Sequence, residues 1–458
     1  MKTAVQFICS LLITGFVHAQ NISKKLDDAI KNLEADSQMK SAIIGFYVAD
    51  HSGAVVFEKN SEIGLAVASS QKVITSVASF ELLGTGYRYK TELSYDGKIE
   101  SGSLNGNIYI VGYGDPTLGS WRYDNTKEQV VLNAWIQSMK QMGIRRLNGS
   151  IIGYDKNWES QTVPGGWTWD DIGNYYGAGV SALNWRENQY DLKLKSGNKE
   201  GDKVTIVAAV PEVFEVNLTN ELTAGRVGSG DNAYIYLPPY ATTGFVRGTI
   251  PPGQSSFTIS GSFPNPAFQL SKTFIDELRK QGIGVNYDIA NSKKQMPENL
   301  VTLLTLNSPS LDSINYWFLK KSINLYGEAL VKTLGYEKMK QGTAKAGLSI
   351  IKNFWKNNGI EPTSINMTDG SGLSPENRVT PKALAKVMQY ARSRPWFSSF
   401  NNALPEINGI RMKTGSMSGV RSFTGYAGHY TFAIVVNNFN GSASEMVRKM
   451  YRVLDFLK

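Results

Sequence analysis

The sequence predicts an α+β chain with helix-rich ends and a strand-rich middle that reads as one insertion inside another. Three observations carry this. An apolar helix opening at Val67-Ala68-Ser69-Ser70-Gln71-Lys72 follows a β-hairpin near the start. Three β-rich runs close the chain ahead of a final amphipathic helix. Between about Tyr89 and Leu300 lie short strands, turns and aromatics, with six of the nine tryptophans between Trp121 and Trp185.

Taken in order, Met1-Lys2, the apolar run Ala4 to Val17 and the small-residue step Val17-His18-Ala19 describe a secretory signal peptide cut after Ala19. The run is short for a membrane span, so 1–19 is assigned as a cleaved leader and the mature protein is expected to be exported, to a periplasm. A helix from Ile22 to Lys40 follows. Ser41 to Val48 and Ala54 to Phe57 then flank Asp50-His51-Ser52-Gly53, the pattern of a hairpin. In the middle, Val130 to Gly143 and Leu270 to Gly282 are alike: each is a helix ending in glutamine close before Gly-Ile, as Gln141-Met142-Gly143-Ile144 and Gln281-Gly282-Ile283, then glycine and a strand. Asp191 to Ser262, between them, is almost all strand and turn. After Leu311 come helices through Lys332, from Lys345 to Asn358 and from Pro381 to Ser393. Ile410 to Gly415, Val420 to Ala427 and Tyr430 to Asn437 read as an antiparallel meander, which the apolar stripe of Met446, Val447, Met450, Val453, Leu454 and Leu457 is expected to cover.

Composition excludes several chemistries. The one cysteine, Cys9, leaves with the leader, which removes thiol nucleophiles, disulfides and cysteine-bound metals. Only His51 and His429 remain, both in turn sequences, so neither a Ser-His-Asp triad nor a histidine zinc site is expected. No metal and no cofactor is called for. About 440 mature residues need two or three domains. The formal charge of +9 is scattered, has no nucleic-acid motif behind it, and suits peripheral association with an anionic wall or membrane surface. If a serine is activated here, a lysine must do it.

Ser69 at the mouth of a buried helix lies near unpaired N–H groups and the positive end of the helix dipole. Lys72, three residues on, falls on the same side within reach of the hydroxyl, a minimal nucleophile–base pair. The same spacing recurs at Ser37/Lys40, Ser196/Lys199 and Ser349/Lys352, but only Lys72 is followed by a long, nearly uncharged run. Lys413-Thr414-Gly415-Ser416, the sole Lys-Thr-Gly, adds a cation, a hydroxyl and a glycine that lets a ligand approach a strand. A relay hydroxyl and an orienting amide can come from Ser-x-Asn on a helix, and copies at Ser313/Asn315 and Ser322/Asn324 fall in the helical stretch after Leu311. Nine residues at about 100° each put the copies on opposite faces of one helix, and Ser322/Asn324 is the copy selected.

In the order Ser69/Lys72, Ser322/Asn324, Lys413/Thr414/Gly415, these motifs resemble those of penicillin-binding proteins. The chain is similar to the low-molecular-mass D-alanyl-D-alanine carboxypeptidase/endopeptidase type, which has a large insertion between its first two motifs. Gly112-Tyr113-Gly114-Asp115-Pro116, Val180-Ser181-Ala182-Leu183-Asn184 and Asp369-Gly370-Ser371-Gly372-Leu373-Ser374 extend the likeness, although Pro375 stands where the family often has arginine and Arg378 comes later.

The resemblance implies a penicillin-binding/β-lactamase-like serine hydrolase domain, an antiparallel sheet with helices on both faces, made of 20–88 and 300–458. An inserted α/β domain would take 89–186 and 264–299, and a nested β domain 187–263. Ser69 would attack the carbonyl between two D-alanines of a peptidoglycan stem peptide, with Lys72 as base and Ser322 as proton relay. Asn324 would hold the acyl amide, Lys413 and Thr414 the terminal carboxylate, and the N–H groups of Ser69 and Ser416 the oxyanion. β-Lactams would acylate Ser69. In Trp167-Thr168-Trp169-Asp170-Asp171, the likeness assigns Asp171, with Asp170 second, to the amino end of a diaminopimelate side chain. A β-lactamase needs no inserted domains, and a non-catalytic β-lactam-sensing or wall-binding module need keep none of the lysines and serines. Carboxypeptidase and endopeptidase action stay undivided at this level.

Overall fold

In the three late segments apolar residues alternate with small or polar ones, the pattern of strands whose two faces meet different partners. In the computed structural model, which describes residues 21–286 and 296–458, they form the centre of a six-stranded antiparallel sheet. Its order is Glu406–Ile407, Ile410–Met417, Val420–Ala427, Tyr430–Asn437, Ile43–Ala49 and Val55–Lys59. Strands from the two ends of the chain thus lie side by side, Gly45 opposite Val435. The proposed leader lies outside the described residues.

Alternation decides what each face of this sheet does. Ile44, Phe46, Val48, Met412, Phe423, Phe432 and Ile434 point to one side, against Leu26, Ile30 and Leu33 of a helix over 21–34 and Met446, Met450 and Leu454 of the helix Ala443–Leu454. The terminal stripe therefore covers the sheet. The other face meets the helix Pro381–Arg392 and the turn that carries Ser69. Lys413 and Gly415 alternate with Met412, which puts them on this second face.

The described chain divides into two compact units. The first holds residues through Leu82, Asn315–Ser322 and Leu348–Lys458; the second holds Leu83–Ile314 and Ile323–Gly347. Val301–Asn307 and the helix Asn324–Met339, placed by the sequence reading with the catalytic segment, belong to the second. The reason is pairing: Val301–Asn307 runs antiparallel to Lys90–Tyr95, and alternation alone does not tell which sheet a strand joins.

Within the second unit, Glu128–Gln141 and Pro266–Lys280 are the two similar helices, packed through Trp135 and Phe274 at 5.3 Å between ring centres. Their following strands, Arg146–Leu147 and Gly284–Val285, pair in parallel. The strands from Gln189 to Ser262 form two three-stranded sheets closed on a core of Leu192, Leu194, Ile235, Val246 and Ile250. Among the described residues, no helix is long and apolar enough to cross a membrane.

Candidate active site

Ala68–Gln71 form a single 3₁₀ turn that runs directly into the helix Lys72–Leu83, whose residues are buried through Phe80. Ser69 alone in the turn keeps partial access to solvent; Ser70, Gln71 and Lys72 are buried. Ala68 has φ +46°, a left-handed conformation that costs a residue with a Cβ about 1–2 kcal/mol. The surroundings hold it there. Ser422 donates to the Val67 carbonyl at 2.5 Å, and its hydroxyl lies 2.7 Å from that of Ser70. Gln71 donates to the carbonyl and carboxylate of Asp369 at 2.7 and 3.1 Å, and Thr75 to the Gly370 carbonyl at 2.7 Å.

The Asp369 loop also sets the lysine. Lys72 Nζ donates to Ser69 Oγ at 2.9 Å and to the Ser371 carbonyl at 2.7 Å, so the amine is aimed at the nucleophile from a fixed backbone seat. Asp369 organises that seat by accepting from the backbone N–H groups of Gly372 and Ser374 and from the amide of Asn377. Gly372, at φ +83°, lies so close to the nucleophile turn that a Cβ would fall 2.0 Å from the Ala68 carbonyl oxygen. Arg378 is turned to the carbonyls of Pro375 and Asn377.

On the facing strand, Lys413 is buried and donates to Ser322 Oγ and to the Thr414 carbonyl, each at 3.0 Å. Burial, and next the charge of Lys72, hold Lys413 well below the usual lysine range. Gly415 is required by contact: a Cβ there would meet the Val67 carbonyl oxygen at 2.2 Å and Ser422 Oγ at 2.3 Å. Thr414 is half-buried and Ser416 exposed beyond it.

Ser322 corrects the sequence reading in one respect. The two Ser-x-Asn copies do not share a helix: Leu311–Lys320 ends, Ser322 takes φ +57°, and Asn324–Met339 begins afresh. The break frees Ser322 to face Lys413. Of the other copy, Asn315 accepts from Ser76 of the nucleophile helix at 2.6 Å and serves packing. The first unit thus brings together Ser69, Lys72, Ser322, Lys413 and Gly415, with Thr414 and Ser416 beside them on the same strand. Ser422 and Ser70, which shape the turn, were not singled out by sequence; the register that sets Ser422 opposite Gly415 is their only signal.

Asn324 and Asp171 lie in the second unit. Asn324 donates its amide to the Tyr176 carbonyl at 2.8 Å, and the Tyr176 hydroxyl hydrogen-bonds Asp171. Asp171 also accepts from Thr168 Oγ1 at 2.7 Å. Burial raises its pKa, the hydrogen bonds from Thr168 and Tyr176 pull it down, and the neighbouring Asp170 raises it further, for a net upward shift. Asp170 is exposed and accepts from the Tyr236 hydroxyl at 3.0 Å. Among the described residues no group of three His, Cys, Asp or Glu side chains could hold a metal ion.

The model of the family described as D-Ala-D-Ala carboxypeptidase 3 (S13) matches residues 25–409. A D-alanyl-D-alanine carboxypeptidase of an Actinomadura species is 26% identical over 451 residues, spanning 92% of this chain and 82% of the relative. The D-alanyl-D-alanine carboxypeptidase DacB of Haemophilus influenzae is 24% identical over 404 residues, 84% of this chain and 82% of that one. Among solved structures, penicillin binding protein 4 of Haemophilus influenzae superposes with a TM-score of 0.78 at 21% identity, covering 94% of this chain and 98% of the other.

Proposed function

The chain belongs to the D-Ala-D-Ala carboxypeptidase 3 (S13) family of serine peptidases, and from that premise we propose that it trims or un-crosslinks peptidoglycan stem peptides through a Ser69 acyl-enzyme that penicillin also forms. The observation that carries this is the pair of lysine–serine contacts, Lys72 to Ser69 at 2.9 Å and Lys413 to Ser322 at 3.0 Å.

In this reading neutral Lys72 takes the Ser69 proton as Oγ adds to the carbonyl of the penultimate D-alanine. The resulting oxyanion is held by the N–H groups of Ser69 and Ser416, the first at the start of a helical turn where N–H groups lack intrahelical acceptors. The C–N bond then breaks. The proton passes from Lys72 through the Ser322 hydroxyl to the leaving amine, and terminal D-alanine departs with Ser69 acylated. Asn324 orients the acyl amide, and water releases the product by the reverse sequence of proton transfers.

Lys413 and Thr414 bind the terminal carboxylate. A carboxylate restores to Lys413 the charge that burial and Lys72 disfavour, so substrate completes the electrostatics of the site. Asp171 reads the amino end of the diamino acid side chain. The leader over 1–19 supports export to the periplasm, where this polymer and β-lactams are met.

Intact-mass spectrometry after benzylpenicillin tests the reading. A persistent one-to-one penicilloyl adduct is expected on the wild type and none on Ser69→Ala, with D-alanine release falling by at least about four orders of magnitude. An adduct retained by Ser69→Ala, or none on the wild type, would overturn it. Incubation with cross-linked muropeptide dimers separates endopeptidase from carboxypeptidase action, since only the former yields monomers.

A further inference from the structure

Lys332 sits in the middle of the helix Asn324–Met339, and no step above uses it. Its side chain is 2% exposed. Inside that cover Nζ donates to the Gln161 carbonyl at 2.6 Å and the Val180 carbonyl at 3.4 Å, with Glu159 Oε1 at 3.3 Å. Glu159 is itself tied down, accepting from the Ala344 N–H at 2.8 Å. Burial lowers the pKa of Lys332 and Glu159 pulls against it. An apolar residue of similar length would avoid the desolvation penalty altogether, so bulk packing alone does not account for lysine.

What the ammonium holds is a neck. Gln161 and Val180 are the two ends of a loop, and Val180 N–H donates to the Thr162 carbonyl at 3.0 Å across its base. The arms run so close that a Cβ on Gly179 would meet Thr162 Oγ1 at 2.7 Å. Asp171 lies midway round the loop. Beyond it the backbone rests on the nested sheets: Ile235 N–H donates to Asn174 Oδ1 at 3.1 Å, and Ser262 N–H to the Gly173 carbonyl at 3.0 Å. One ammonium on both carbonyls of the neck fixes the hinge about which such a loop would swing.

We propose that Lys332 is a positioning residue: it clamps the neck of the 161–180 loop and so sets Asp171 for the cationic side chain of the stem peptide. The second half of this rests on the reading of Asp171 given above.

Lys332→Met in the full chain tests both halves. Hydrogen exchange should quicken at least about tenfold in peptides spanning 161–180 and change less than about twofold elsewhere. With acyl-D-Ala-D-Ala substrates differing only in a free or acetylated side-chain amine, the preference in kcat/KM for the free amine should fall about fivefold, while acylation by benzylpenicillin stays within about twofold. Unchanged exchange in the loop, or exchange raised equally throughout the second unit, overturns the clamp. Asp171→Asn keeps the two readings apart: it should abolish the preference and leave loop exchange as in the wild type. If Asp171→Asn abolishes the preference and Lys332→Met loosens the loop without reducing it, positioning is overturned. If Asp171→Asn keeps the preference, the Asp171 reading falls, and with it the positioning half, while the clamp stands or falls on exchange.

Discussion

The two units spend their buried polar groups differently. In the first, Lys72, Lys413, Gln71, Ser70, Ser422 and Asp369 are buried round one partly open hydroxyl, and two glycines are dictated by backbone approaching within about 2 Å of where a Cβ would sit. In the second, buried Glu187 gathers Ser120, Arg122 and Tyr326 on one oxygen, while Lys332 and Asn188 hold neighbouring carbonyls at the neck of the 161–180 loop. In the first unit the buried groups converge on a hydroxyl that reacts; in the second they hold segments of the chain in place. Damage should therefore be all-or-none in the first unit and graded in the second.

Removing the base should have the largest effect. Lys72→Met keeps the apolar stem but deletes the amine, and acylation by benzylpenicillin should fall about 10²- to 10⁴-fold in stopped-flow or mass measurements. A fall below tenfold would mean another group takes the Ser69 proton. The same variant sharpens the comparison, because loss of the Lys72 charge should let the pKa of Lys413 rise.

Next comes backbone fit. Gly372→Ala puts a Cβ 2.0 Å from the Ala68 carbonyl oxygen at φ +83° and should cost about 2–4 kcal/mol of stability, with acylation impaired beyond that loss. Gly359 also has positive φ, at +77°, but nothing within 4 Å, so Gly359→Ala should cost about 1 kcal/mol and leave acylation alone. Equal costs in chemical denaturation would erase the distinction between a glycine required by the site and one required by a turn.

The pH dependence is the subtlest. Lys413 must carry its proton to bind a carboxylate, and its pKa lies well below 10.5 in the free enzyme. Activity in kcat/KM should therefore fall as pH rises through that depressed pKa. In the complex the substrate's carboxylate favours the ammonium, so the basic limb of kcat should lie at higher pH than that of kcat/KM. Coincident basic limbs would remove Lys413 from carboxylate binding.

This contrast also explains what could be read from residues alone. Ser69, Lys72 and Lys413 stand out because one reaction needs given side chains at helix or strand spacing, and the alternation at Met412 and Lys413 is enough to choose the face. Ser322 was identified by type but misplaced on a continuous helix, since neither glycine nor proline marks the break and a serine at φ +57° has no local signature. Lys332 was invisible: a lysine in an otherwise ordinary helical pattern says nothing until Gln161 and Val180, over 150 positions earlier, are seen against it. The strand Val301–Asn307 carries no label for the sheet it joins, so its pairing with Lys90–Tyr95 is not legible in its residues.

The pairing of Ile43–Ala49 with Tyr430–Asn437 has a consequence for the birth of the protein. The earlier strand must wait for one far later in the chain, and the second unit's segments lie between the two. Domains complete in the order their strands become available, and long-range antiparallel pairing is slow. Lys413 arrives on the same late segment. Ser69 is thus translated long before Lys413, and a nascent chain halted between them holds no working site.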